Sequence, residues 1–295
     1  MKPEFRLTTF DVLSPTWKVI QEQSLNSHIF SSPEWSRTWW EHFGSRDRLY
    51  LGFLERGTRI IGVAPLHIED GVASFIGSSD VCDYLDFVVE PAKGTDFFTA
   101  LLDHLVEQGI NRLRLAPLRP DSSVLTSLVG IAQRQGWDIS CSEEDASLEL
   151  DLPATWEEYQ QLLTSKQRHE LRRKLKRLEE EGDVQYRTSG APGPANIETF
   201  LRLFRDSRED KAAFLTPQIE SFFRALVDVM IQQRLLRLGI LELDGHPVAA
   251  TMCFEYRNDV YLYNSGYDPK YSRLSVGLVS KALCIKDSIE RGKRK

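Results

Sequence analysis

The sequence predicts a mixed α/β fold, a mostly antiparallel sheet flanked by helices, and three observations carry that expectation. Short apolar runs of strand length recur with turn residues between them, as at residues 49–54, 59–68 and 72–76. Between such groups stand segments with apolar residues at helical spacing, such as Phe98, Leu101, Leu102, Leu105 and Val106. The two kinds alternate along the chain, which a helix bundle or a pure sandwich would not show.

Residues 5–10 alternate as a first strand, and Trp17, Val19, Ile20 and Leu25 line a helix behind it. Ser32-Pro33-Glu34-Trp35 reads as a helix start, with Ser32 as cap and Pro33 in the first turn. Trp35, Trp39, Trp40 and Phe43 then form an aromatic stripe that packs a core or walls a substrate groove. The strands at 49–54 and 59–68 read as a hairpin turning at Glu55-Arg56-Gly57, and His67 as a strand histidine near the surface. In residues 80–89 the carboxylates Asp80, Asp83 and Asp86 interleave with apolar residues leading into a strand. If Asp83 and Asp86 meet at one cleft edge, their proximity raises a pKa and makes one a general base or amine anchor; otherwise they cap turns and face water. A helix at 95–108, a strand at 113–118, a helix at 122–135 and strand character at 137–141 and 148–152 complete the first half.

The second half opens on a long helical signal at 156–181, whose middle, residues 166–177, carries seven basic residues and one acidic one. Such a run holds a polyphosphate ligand or a nucleic-acid backbone, or is a solvated face compensated by Glu179-Glu180-Glu181. No aromatic-rich RNA-binding signature accompanies it, and DNA is not an expected partner. A helix at 197–207 leads to Lys211 at a helix-helix connection, and a further helix starts at Thr216-Pro217. Three strands follow at 235–243, 247–256 and 260–263. They feed Tyr263 to Gly277, where Gly266, Asp268 and Pro269 supply turn chemistry. A helix bearing Leu278, Val279, Ala282, Leu283, Ile285 and Ile289 comes next, with Ser275 as N-cap and Gly277 in the first turn. Open amides there form an anion site that Gly277 lets a phosphate approach.

The 295 residues carry a net charge of −6 and are 41% hydrophobic, enough for two domains or one large one. No window approaches the roughly 20 apolar residues of a membrane span, so a soluble cytoplasmic protein is expected. Cys82, Cys141, Cys253 and Cys284 lack CxxC pairing and metal-spaced histidines, so buried thiols are expected, with no metal and no structural disulfide. A serine elbow, a Cys/His arrangement and a Walker loop are all missing.

The order of several segments resembles the GNAT superfamily, in the BioF2-like or CelD/BcsL branch related to the FemAB peptidyltransferases. Those segments are Arg168-His169-Glu170-Leu171-Arg172-Arg173, Lys211 followed by Phe214-Leu215, Asp244 to Ala250 at a hairpin, and Tyr263 to Gly277; the earlier Asp83-Tyr84-Leu85-Asp86 also fits. The resemblance implies tandem GNAT-like units, residues 1–146 and 147–295, with an active groove at their interface. It implies transfer of an acyl group from acetyl-CoA or another acyl-CoA to an amine-bearing small molecule, sugar or envelope precursor, by a cytoplasmic protein working near the inner face of the membrane. In the FemAB branch the donor is aminoacyl-tRNA, and a noncatalytic scaffold retaining the fold is the competing class. On this reading Asp83 or Asp86 is the base, and Tyr263 and Tyr271 stabilise the oxyanion or protonate the leaving group. Trp39, Tyr84, Lys211 and Tyr267 contact substrate, while Arg168, Arg172, Arg273, Ser275, Val276 and Gly277 hold the donor. Arg273-Leu274-Ser275-Val276-Gly277 is a partial counterpart of the family's pyrophosphate loop. Lys293-Arg294-Lys295 arrives where the resembled fold continues into another strand.

Overall fold

Strand pairing divides the chain into two sheets, each with its own helices. The computed structural model describes residues 3–24, 26–44 and 47–295, so Leu25 lies outside the described residues. Contacts divide the chain into two units, Met1–Ser147 and Leu148–Lys295.

The first unit runs β1 (Glu4–Leu7), α1 (Phe10–Gln23), α2 (Pro33–Phe43), β2 (Arg48–Arg56), β3 (Arg59–Glu69), β4 (Val72–Phe75), β5 (Val88–Val89), α3 (Gly94–Glu107), β6 (Arg112–Arg114) and α4 (Val129–Arg134). A π-helical turn at Val124–Leu128 leads into α4. Among the described residues its strands lie in the order β1-β2-β3-β4-β6, with β5 also on β3. The first four are antiparallel and β6 joins β4 in parallel. The start of α2 is as read from sequence: the Ser32 hydroxyl accepts from Trp35 N at 3.2 Å and Pro33 opens the helix. Two strand expectations fail. Residues 137–141 and 148–152 are irregular, and Leu148 is 96% exposed, so the apolar residues there do not form a buried strand face. The expected strand at 113–118 is likewise cut to Arg112–Arg114.

The second unit runs α5 (Trp156–Leu162), α6 (Ser165–Glu181), β7 (Val184–Ser189), α7 (Pro194–Ser207), α8 (Glu209–Phe214), α9 (Pro217–Gln232), β8 (Leu236–Leu243), β9 (His246–Tyr256), β10 (Asp259–Tyr267) and α10 (Val276–Glu290). Its sheet is antiparallel, in the order β10-β9-β8-β7. Asp244 (φ 50°) and Gly245 (φ 74°) make the β8–β9 turn, a left-handed pair that matches the twist of a two-residue hairpin. Alternation along β8 sends Leu241 and Leu243 to one face, where they meet Leu178 of α6 and Val276 and Val279 of α10. On the other face Phe204 of α7 and Phe223 of α9 meet edge-on at 6.1 Å, and Phe223 meets Tyr263 of β10 at 5.8 Å.

The single long helix expected at 156–181 is two helices. Leu163 is extended (ψ 144°), and Thr164 then caps α6 with a reciprocal box: Gln167 N donates to Thr164 Oγ1 at 3.2 Å and Thr164 N to Gln167 Oε1 at 3.0 Å. The turn expected at Gly266 is also corrected, because β10 continues through Tyr267. Gly266 is there for packing: a Cβ built on it would stand 2.3 Å from Phe204 N and 2.4 Å from Leu203 C, so α7 lies on bare strand backbone.

Candidate functional site

The strand-to-helix junction of the second unit is built from β10, a short 3-10 turn at Pro269–Leu274, and α10. β10 carries a bulge: Leu262 pairs with Cys253 and Asn264 with Met252, leaving Tyr263 as the unpaired extra residue. Its ring packs on Phe223 and, at 5.1 Å, on Phe254. Asp268 turns the chain by accepting from Lys270 N at 3.0 Å. Ser275 stands at the N-cap of α10, but in the left-handed region (φ 56°) and without a side-chain cap bond. Sequence placed the cap correctly and its chemistry wrongly: the carbonyl of Ser275 starts the helix, accepting from Leu278 N at 2.9 Å and Val279 N at 3.0 Å. The amides of Val276 and Gly277 lie in the first turn, where a helix supplies them no acceptor. Tyr267 lies across Gly277, with ring carbon Cδ1 2.9 Å from where a Cβ would be. Tyr267 and Tyr271 both lean on the Leu178–Val276 core, half-buried.

Helix α6 lies alongside this junction, and its charges divide into two groups. Glu170 accepts from Arg173 at 2.9 and 2.7 Å and lies 3.5 Å from Lys174, and these cations hold its carboxyl down at about 2. Glu180 lies 3.6 Å from Lys176. By contrast, Arg168, Arg172 and Arg177 meet neutral oxygens. Arg168 Nη2 donates to Leu163 O at 3.1 Å, Arg172 Nε to Gln160 Oε1 at 3.1 Å, and Arg177 Nη1 to Arg273 O at 3.3 Å. Their charge is therefore not cancelled locally. Arg168 Nε is buried without a hydrogen-bond partner. Arg273 points back to α6 and pairs with Glu181, so its free charge is smaller than the sequence suggested. Sequence alone has Glu181 compensate the basic run on its own helix; that it and Arg177 instead engage Arg273 was not legible, because Arg273 lies more than 90 residues away.

Lys211 sits on α8, half-buried. Its ammonium donates to the carbonyl of Ser265 on β10 and lies 4.8 Å from the centre of the Phe204 ring. Burial, with Lys281 and Arg208 nearby, brings its pKa down to about 8. The main cause, burial, was not legible in sequence, since β10 and Phe204 come from other elements; of the charges that lower it only Arg208 is a sequence neighbour.

In the first unit the candidate residues have different surroundings. Asp86 is 4% exposed and its oxygens accept from Phe87 N at 2.9 Å, Ser123 N at 2.7 Å and Ser123 Oγ at 2.5 Å. Burial raises its pKa to about 6 against the pull of these bonds. Asp86 is thus an anchor for the 122–124 turn. Asp83 is exposed, and its pKa is raised by partial desolvation and by Asp145. Tyr84 is buried edge-on to His28 at 4.7 Å and Phe30 at 5.3 Å, with the Arg119 guanidinium 4.9 Å from its ring centre. Trp39 is 6% exposed and packs on Phe43 and His67, at 5.6 and 5.5 Å; it fills a core instead of walling a groove. His67 is buried, not at the surface, and its Nδ1 lies 2.8 Å from Asp47 Oδ2.

Among the described residues, no helix is long and apolar enough to cross a membrane, and no group of three or more His, Cys, Asp or Glu could hold a metal ion. Residues 165–295 match the family described as Acetyltransferase (GNAT) domain. No curated protein matches the chain. Among solved structures the fold is similar to that of FemX (13% identity, 98% of this chain and 86% of that one, TM-score 0.68). It is also similar to the C-terminal domain of a putative lysylphosphatidylglycerol synthetase from Agrobacterium fabrum (10% identity, 97% and 76%, TM-score 0.56). A conserved protein of unknown function from Bacteroides thetaiotaomicron is a third (13% identity, 98% and 86%, TM-score 0.55). Residues 165–295 are thus similar to an acetyltransferase (GNAT) domain, and the chain as a whole has a fold similar to that of FemX.

Proposed function

We propose that the chain transfers an acyl group from an acyl-CoA to an amine by direct attack. The observation that carries this reading is the junction itself: a bulged strand at Tyr263 leads into the open amides of Val276 and Gly277, beside arginines that meet neutral oxygens. Amides at a helix N-terminus suit a pyrophosphate, and Arg168, Arg172 and Arg177 add charge on its flank. At the bulge the ladder is interrupted, which leaves strand backbone available to a thioester carbonyl. The amine nitrogen attacks the carbonyl carbon and gives a proton to a carboxylate base, the C–S bond breaks, and the leaving thiolate takes a proton from the Tyr271 or Tyr263 hydroxyl. Lys211 holds an anionic group of the substrate, and Tyr267 shapes the passage over Gly277. Of the two carboxylates proposed as base, Asp83 is the one whose side chain reaches solvent. The acceptor would be a small amine, an amino sugar or an envelope precursor.

A second reading, transfer of an aminoacyl group from tRNA, is favoured by the exposed run Arg172, Arg173, Lys176 and Arg177 on α6. One experiment separates the two. Purified protein is offered acetyl-CoA and longer acyl-CoAs with a panel of amines, or charged tRNA with the same panel, and product is read by mass. Thiol release with N-acylated product supports the first reading. Product from charged tRNA alone, with none from any acyl-CoA, would replace it with the second.

A further inference from the structure

Cys253 on β9 and Cys284 on α10 bring their sulfurs to 3.4 Å, both as free thiols, 1% and 6% exposed. We propose that this pair is a modification site, a dithiol that closes to an intramolecular disulfide when a two-electron oxidant such as hydrogen peroxide reaches it.

The surroundings are unlike those of an inert core cysteine, which sits among aliphatic groups. On the same face of the sheet, the Tyr186 hydroxyl of β7 lies 3.1 Å from Thr251 Oγ1 of β9. Gly239 of β8 makes room for both: a Cβ there would stand 2.1 Å from the tyrosine oxygen and 2.6 Å from the threonine oxygen. The hydrogen bond between the two sulfurs holds the Cys284 thiol below the ordinary range while that of Cys253 is raised. Cys284 is also the more exposed of the two, so it is the sulfur an oxidant reaches first.

The chemistry balances with the peroxide alone. The Cys284 thiolate attacks one peroxide oxygen, the O–O bond breaks, and the departing hydroxide takes a proton to leave as water, giving a sulfenic acid. Cys253 gives up its proton and attacks the Cys284 sulfur; the S–S bond forms, the S–O bond breaks, and a second water leaves. Two thiols have lost two electrons to one peroxide. The sulfurs then move from 3.4 Å to about 2.05 Å apart. The bond would fasten α10 to β9 and enclose all of β10 and the turn before α10, so it would rigidify the whole junction. The inference does not depend on which acyl donor the chain uses.

The test is made on the full-length chain carrying Cys82→Ser and Cys141→Ser. The folded protein is exposed to graded hydrogen peroxide, denatured in an alkylating reagent, digested and mapped by mass spectrometry. The expected result is a peptide pair joined through Cys253 and Cys284, absent after dithiothreitol, with the guanidinium unfolding midpoint raised in the oxidised form and restored on reduction. In a Cys253→Ala chain, Cys284 should instead stop at a sulfenic acid that dimedone traps. Both thiols remaining fully alkylatable at peroxide levels that oxidise the unfolded chain would overturn the proposal, as would a sulfinic acid at Cys284 with no joined peptide. Should the alanine variant not fold, the mapping of the parent chain decides alone.

Discussion

The ammonium of Lys211 donates to the backbone carbonyl of Ser265, so a charged side chain of α8 is tied to the edge strand two residues past the bulge. The bond spans 54 residues of sequence and is laid over the face of Phe204. It connects the helix pair α7–α8 to the strand that leads into α10.

This lysine makes stability depend on pH. Its folded pKa of about 8 lies below the ordinary lysine value of 10.5, so the unfolded chain holds that proton more tightly. The contribution is fully present above 10.5 and is lost as pH falls through about 8. Lys211→Met should flatten the rise in unfolding free energy across that window by on the order of 1–2 kcal/mol, discounted for the group's partial exposure. Urea unfolding at intervals of pH measures it, and an unchanged slope would remove Lys211 as the source.

The two aspartates should separate by phenotype. Asp86→Asn turns one acceptor toward the Ser123 N–H as a donor, and the mismatch costs about 1–3 kcal/mol of stability at neutral pH. Asp83→Asn, on an exposed side chain, should leave stability within about 0.5 kcal/mol and lower the acyl-transfer rate. Thermal unfolding and a product assay on the two variants check this; a full rate in Asp83→Asn would end its proposed role as base.

Asp86 also carries a pH signature of the opposite sign to an ordinary paired carboxylate. Its folded pKa of about 6 is above the ordinary aspartate value of 3.8, so its contribution is present below 3.8 and is lost as pH rises through about 6. The wild-type chain should therefore lose part of its stability between those values, and the Asp86→Asn chain should not show that component.

Gly266→Ala is expected to be among the most damaging small substitutions in the second unit. The added methyl meets backbone atoms of Leu203 and Phe204, which cannot rotate aside. A loss of about 3 kcal/mol or more is expected by denaturant titration. Gly277→Ala meets a tyrosine ring that can swing, so it should fold and show instead a higher KM for the donor.

Glu255 gathers Arg237, Arg291 and Lys293 at 3.1, 2.5 and 2.8 Å. Burial alone would raise its pKa, but the three cations bring it down to about 2. Its contribution is present above the ordinary glutamate value of 4.5 and is lost as pH falls through about 2. Glu255→Gln should cost about 2–4 kcal/mol at pH 7, with the difference shrinking toward pH 2 in guanidinium unfolding curves.

The hairpins, the capped start of α2 and the run from β8 into α10 were legible because their signals are local: alternation, an Asp-Gly turn, a Ser-Pro cap. The break at Leu163–Thr164 was legible too, as a Thr-x-x-Gln box, but the unbroken apolar spacing around it outweighed the cap. Tyr263, Tyr267, Tyr271 and Gly277 were found as one stretch, and the structure keeps them together on one junction. What sequence could not show was engagement at a distance. Arg273 and Glu181 neutralise each other, Asp86 is spent on Ser123, and Trp39 is sealed into a core, because in each case the partner is remote in sequence.

The bulge at Tyr263 has an effect beyond its own position. Side chains on a strand alternate, so one extra residue resets which face every later residue takes. With Tyr263 inserted, the residue that falls beneath α7 is Gly266. A slip of one residue in either direction would put the side chain of Ser265 or Tyr267 there, against helix backbone with no gap to receive it. The bulge therefore acts as a register key for the strand: the helix can seat at only one phase of the chain, and that phase fixes where α10 begins.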